Sequence, residues 1–330
     1  MSELNRRSVL KTGLSGLSAT LFATHAERAL ANDISVSWAS INPGSFTTFI
    51  MEFMRKRGLD KKHGISLPAP IVYTSVNSYY NDFVVGNYEM CMGSWDTLTS
   101  RQQAGVPLQF LCAFTTGSMI NILVPANGAK TLQELKGKTL AATQATGTYR
   151  VMRALLKDFA SFNLEQEMKV QNVDNPAAAV TLVMVDRADA VLVWEPNTSM
   201  ALLKAPGARV LYSAEDDYRK KTGLDLPYFG VALRKELLTR SPDIAARLDA
   251  AFEDSVSGIT SDIDGAVDIV GSGGGLDPEV MRLAIKSGRL QFKHISMRNE
   301  KGRELIKAAS RMLVDNKLLD RPVGDEFFAI

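Results

Sequence analysis

The chain has 330 residues, 45% hydrophobic and 22% charged, with a formal net charge of +2. That composition fits a soluble globular protein and excludes a disordered chain, a collagen-like chain and a disulfide-dense miniprotein. At roughly 100–200 residues per domain, the length accommodates two domains or one large one.

The charge becomes informative once located. Residues 1–31 hold four of the 38 basic and two of the 36 acidic side chains, so the remaining 299 residues carry 34 of each. A neutral body offers no electrostatic footprint for nucleic acid and no polybasic block for anionic lipid. Asn5-Arg6-Arg7-Ser8-Val9-Leu10-Lys11 is a twin-arginine pattern. It is followed by a weakly apolar stretch, 12–26, without Asp, Glu, Lys or Arg, and by the small-x-small triplet Ala29-Leu30-Ala31. This order predicts a twin-arginine signal peptide over 1–31, cleavage after Ala31 and a periplasmic location reached through the twin-arginine machinery. The weak hydrophobicity argues against a membrane anchor.

Short apolar runs then alternate with amphipathic stretches. Strands are expected at 34–38, 71–74, 88–92, 108–114, 119–124, 138–142, 168–171, 190–193, 209–212 and 228–233. Ser45, after the turn Pro43-Gly44, caps an expected helix to about Arg57, with Phe46, Phe49, Ile50, Phe53 and Met54 at core spacing. Further helices are expected at 78–85, 95–103, 148–159 and 175–185, then at 241–260, 277–286 and 300–314. Asn175-Pro176 is a helix start. Alternation of strands and helices predicts an α/β protein with mostly parallel sheets. Extended segments near 121–125 and 226–230 read as hinge crossings. They give a first lobe of 33–122 plus 229–330 and a second lobe of 123–228.

Catalytic signatures fail. Gly137-Lys138-Thr139 lacks the glycine a phosphate loop needs at position 132, which is Leu132. The glycine cluster from Gly271 meets Leu276 where a dinucleotide fingerprint needs a third glycine. The body has two histidines, His63 and His294. His63 reads as a solvated helix end and His294 as an exposed strand or loop position. Cys91 and Cys112 sit in apolar runs and read as buried small hydrophobes, with a disulfide between them the alternative in an oxidising compartment. No catalytic residue, metal site or cofactor is expected.

Several segments in order resemble a known family. They are Val84-Val85-Gly86-Asn87-Tyr88-Glu89, Gly93-Ser94-Trp95, Ala104-Gly105-Val106-Pro107-Leu108, Leu132-Gln133-Glu134-Leu135-Lys136-Gly137-Lys138-Thr139, and Ala188-Asp189-Ala190 leading to Trp194-Glu195-Pro196. The chain resembles the periplasmic substrate-binding proteins of ABC transporters. The group in question includes the aliphatic-sulfonate, taurine and nitrate binders and the pyrimidine-precursor, NMT1/THI5-like binders. The resemblance implies two α/β lobes, type II-like, that close on a small ligand. It further implies delivery to an ABC permease driven by an ATPase, and a monomer that catalyses nothing.

Ligands of open α/β sheets sit beyond the carboxyl ends of the strands, where helix N-termini favour anions. The resemblance carries ligand contacts onto Asn42, Ser94, Trp95, Thr146, Gly147, Thr148 and Trp194, with Tyr228 and Asp96 as further candidates. Asp96 suits a cationic ligand such as a pyrimidine, or merely caps its helix. Arg150 reads either as an anion fork or as a solvent-facing side chain. The expected ligand is a sulfonate, carboxylate or related anion. The rivals are a thiamine-precursor binder, a synthase-like enzyme and a sensing module for a membrane receptor.

Overall fold

The computed structural model describes residues 33–41, 45–273 and 275–330. The expected signal peptide, its cleavage site and Asn42 lie outside the described residues. Among the described residues, no helix is long and apolar enough to cross a membrane.

The strands, in chain order, begin with β1 (Ile34–Ser35), β2 (Ala39–Ile41), β3 (Ile65–Ser66) and β4 (Ile71–Tyr73). Then come β5 (Met90–Ser94), β6 (Leu108–Thr115), β7 (Ile120–Val124), β8 (Thr139–Ala142) and β9 (Lys169–Asn172). The last are β10 (Ala190–Trp194), β11 (Arg209–Ser213), β12 (Phe229–Arg234) and β13 (Phe292–Ser296). They build a two-lobed α/β fold.

In the first lobe β1 pairs with β3 and β2 with β4, both parallel, and Trp38 bridges to Met90. The sheet β13-β6-β12-β5 continues from there. In the second lobe the order is β11-β7-β10-β8-β9. The expectation of mostly parallel strands holds only in part there: β10, β8 and β9 run parallel, while β7 runs antiparallel to both β10 and β11. It fails for the four-stranded sheet of the first lobe, whose neighbours are all antiparallel. The cause is the double crossing. β6 runs toward the second lobe, β12 returns from it, and β12 inserts between β5 and β6 with the opposite direction.

The crossings lie side by side. Gly117 N donates to Leu226 O at 2.8 Å, Tyr228 N donates to Thr115 O at 2.9 Å, and Thr116 bridges Pro227. A Cβ on Gly117 would fall 2.6 Å from Leu226 Cδ2, so the close approach of the two segments needs glycine there. The first crossing therefore comes earlier than 121–125. β7 begins at Ile120 and pairs wholly with β10 and β11, so a 122/123 boundary cuts through a strand.

Local signals explain the helices. Ser45 Oγ accepts from Thr47 N, and Asn175 Oδ1 accepts from Ala178 N ahead of Pro176. Phe46, Phe49, Ile50, Phe53 and Met54 are all buried, as their helical spacing requires. At the C-terminus Phe327 stacks on Phe110 of β6 at 5.4 Å. Cys91 and Cys112 are buried free thiols on β5 and β6, with β12 between them.

The histidines depart from expectation. His63 Nε2 lies 2.7 Å from Asp254 Oδ2 and His294 Nε2 lies 2.9 Å from Asp249 Oδ1. Both aspartates sit on the helix Ile244–Ser261, which packs under the first sheet. β13 itself was not among the expected strands.

Candidate functional site

A cavity of about 840 Å³ lies between the lobes. Six helices begin at its wall. Phe46–Lys56, Val76–Val85 and Trp95–Gln103 come from the first lobe. Gly147–Ala160, Pro176–Met184 and Asn197–Lys204 come from the second. Their capping residues Ser45, Ser75, Ser94, Thr146, Asn175 and Pro196 all line the cavity. Each helix brings up to four backbone N–H groups without an intrahelical partner, and the positive end of its dipole.

The first turns of these helices are unusual. An acidic residue near a helix N-terminus is stabilising. Among the described helices that start elsewhere, seven of eight carry one. Of the six at the cavity, only Trp95–Gln103 does, and its acid is Asp96. Asp96 is itself neutralised. Arg150 Nε and Nη2 both donate to Asp96 Oδ2, at 3.0 and 2.8 Å. Burial opposes the charge on Arg150, yet the Asp96 carboxylate and its hydrogen bonds hold the guanidinium pKa above its ordinary value. The wall is thus left with a positive bias.

Arg101 is the one basic residue among the described lining residues. Its guanidinium lies 4.1 Å over the Tyr80 ring, and Nη1 donates to Thr97 O at 3.0 Å. Phe46, Phe229, Trp194 and Tyr228 supply apolar surface, with Phe46 edge-on to Phe229 at 5.0 Å. Asp174 also lines the cavity but is exposed. A second cavity, about 580 Å³, lies at the amino ends of β8 and β10 beside Lys138, Ala188 and Asp189, away from these helix starts.

A sequence profile of the family described as NMT1/THI5 like matches residues 61–262. The chain belongs to the NMT1/THI5-like family. No curated protein matches it in sequence. Its fold is similar to that of the periplasmic aliphatic sulphonate binding protein SsuA from Escherichia coli. The TM-score is 0.69 and the identity 16%, over 89% of this chain and 91% of that one. The alkanesulfonate-binding protein SsuA from Xanthomonas axonopodis pv. citri, bound to MOPS, gives 0.68 and 17%, over 88% and 96%. The desulfurization enzyme DSZB gives 0.62 and 14%, over 89% and 95%. At such identities these likenesses establish the two-lobed fold.

Within this NMT1/THI5-like chain the expected residues separate. Ser94, Thr146, Gly147, Thr148, Trp194 and Tyr228 line the cavity together. Trp95 does not: it is fully buried, its ring taken into the core by its large apolar area. Asp96 lies behind the wall with Oδ1 unpartnered, its other oxygen taken by Arg150, so it offers no open seat for a cation. Arg150, read as a fork or a solvent-facing residue, instead joins the lobes. Residues not anticipated as contacts are Ser75, Arg101, Asn197 and Thr143, whose buried Oγ1 has no hydrogen-bond partner. The available signal was positional: the caps Ser45, Ser75, Ser94, Thr146, Asn175 and Pro196 each follow a strand's carboxyl end and face one cleft.

The lobes touch at several points. Thr148 Oγ1 and the Tyr228 hydroxyl hydrogen-bond at 2.7 Å. Burial pushes the Tyr228 phenol well above its ordinary pKa, so it stays protonated. Glu195 is fully buried and accepts from Ser199 N at 3.1 Å and from Arg289 Nε at 2.7 Å. Burial raises its carboxyl pKa, with Arg289 opposing. A Cβ on Gly147 would fall 2.2 Å from Asp96 Oδ1 and 2.4 Å from Ser94 Oγ, so the lobes close tightly over a glycine.

Proposed function

We propose that this protein is the solute-binding component of an ABC importer. It captures a small organic anion, a sulfonate or carboxylate with an apolar part, between its lobes and hands it to a membrane permease. The observation that carries the ligand class is the convergence of six helix N-termini, five without an acidic residue in the first turn. Each favourable terminus contributes about 0.3–1 kcal/mol toward an anion, and up to about 2 where partly buried. Trp194, Phe46 and Phe229 would hold the apolar part, and Arg101 a charged end near the wall.

The closed arrangement supports capture by lobe movement about the paired crossings. In this reading the protein binds its ligand without transforming it. No cysteine or histidine is among the described lining residues, so a Cys–His or Ser–His pair is not at hand there. Export would follow the twin-arginine signal, with the mature protein in the periplasm.

The test is a thermal-shift screen of protein lacking residues 1–31 against sulfonates, carboxylates, nitrate and pyrimidines. A ligand at 100 times its Kd adds about 2.7 kcal/mol of stability. Selective stabilisation by one anion class is expected. Stabilisation by pyrimidine-type cations alone would reject the anion reading.

A further inference from the structure

The strongest group outside the cleft lies where the helix Ile244–Ser261 meets the first sheet. Cys112 is on β6, Asp249 on that helix and His294 on β13. One donor atom from each lies within 4.8 Å of the other two. None of the three lines the interlobe cavity.

We propose that Cys112, Asp249 and His294 form a site for a divalent transition-metal ion of the zinc type. Tetrahedral zinc holds sulfur at about 2.3 Å and nitrogen or oxygen at about 2.0–2.2 Å, which puts the donors about 3.3–3.6 Å apart. Rotamer adjustment covers the remaining ångström, because the three side chains already converge from separate elements. The local structure favours this convergence. Ser296 stands opposite Cys112, but Phe292 stands opposite Thr115, so β13 carries one extra residue between them. Such a bulge re-aims the side chains within it, here that of His294.

The surroundings resemble an outer shell. Ser296 Oγ donates to Asp249 Oδ2 at 2.6 Å, which fixes the carboxylate while Oδ1 meets His294. A sulfur, nitrogen and oxygen set selects against calcium and magnesium, which take oxygen donors. Burial, and then the charge of Asp249, keeps the Cys112 thiol protonated in the free protein. Metal entry releases the thiol proton, and a ring nitrogen of His294 completes the set with Asp249. The fourth position falls to water. Cys112 is fully buried, and the His294 and Asp249 side chains are 11% and 13% exposed. The ion thus staples the helix to β6 and β13 and lies off the ligand's path.

Cobalt titration of the full chain tests this. One equivalent of Co²⁺ should bind with thiolate-to-cobalt charge-transfer absorption, and Zn²⁺ should displace it. Cys112→Ser should abolish the band. His294→Gln should keep the band but require about tenfold more cobalt or higher. Absence of the band in the wild-type protein at saturating cobalt overturns the proposal. So does a band retained in Cys112→Ser, or unchanged affinity in His294→Gln, the variant available if Cys112→Ser does not fold.

Discussion

Gly147→Ala tests whether the ligand is held by lobe closure. Gly147 opens the helix Gly147–Ala160, and a Cβ there would lie 2.2 Å from Asp96 Oδ1 and 2.4 Å from Ser94 Oγ. Relief requires the buried Asp96 and Ser94 side chains to swing away, or the lobes to part, by about 1 Å, since ordinary carbon contacts sit near 3.5 Å. The Arg150–Asp96 bonds, now 2.8 and 3.0 Å, then stretch beyond hydrogen-bond range. A hydrogen bond to a charged group is worth about 1.5–3 kcal/mol. The closed state therefore loses about 3 kcal/mol, and affinity falls about 100-fold. Alanine is the better helix former, by about 0.5–1 kcal/mol, so the lobe itself is not weakened. Isothermal titration with the ligand from the screen, beside thermal melts without it, separates the two effects. A Kd equal to wild type at unchanged melting temperature would refute closure over Gly147.

Trp194→Ala should weaken binding by about 2 kcal/mol, roughly 30-fold, if the indole packs on the ligand; unchanged affinity by titration removes it from the site. Glu195 gives a pH signature. Burial raises its folded-state pKa above the ordinary 4.5, so the folded protein holds the proton more tightly than the unfolded chain. The stability Glu195 contributes is present below 4.5 and declines as pH rises through the raised value. Denaturation between about pH 4 and 7 should show that decline in wild type and lack it in Glu195→Gln, and parallel profiles would reject the assignment. Replacing Arg6 and Arg7 by Lys should block export, read by fractionation; normal periplasmic accumulation would reject the twin-arginine signal.

How far the sequence could be read follows from locality. Ser45 and Asn175 announce their helices within three residues, and the structure has both accepting cap hydrogen bonds, whereas the helix expected from 148 starts at Gly147 with Thr146 as its cap. The crossings were visible as extended segments, but the first lies several residues before 121–125, because only pairing with β10 and β11 assigns β7 to the second lobe. The direction of β12 depends on a strand that enters from another lobe, and no local pattern encodes that.

Trp95 and Trp194 both stand at strand ends, and local sequence does not distinguish them. The structure sends one ring into the core and leaves the other half-buried at the cavity. Asp96 and Arg150 are 54 residues apart and on different lobes, so their pairing emerges only on closure. The two histidines looked solvent-facing because their aspartate partners lie on a distant helix. The depletion of acidic residues from the first turns at the cavity was present in the sequence throughout. It gained meaning only when the helix starts were seen to share one cleft.

The cleft, with its converging helix N-termini, should select negative charge. Titration calorimetry of the protein lacking residues 1–31 with an alkanesulfonate and an alkylammonium of equal chain length addresses it directly. One-to-one binding of the sulfonate and none of the ammonium is expected. Binding of the ammonium, with the sulfonate silent, would contradict it.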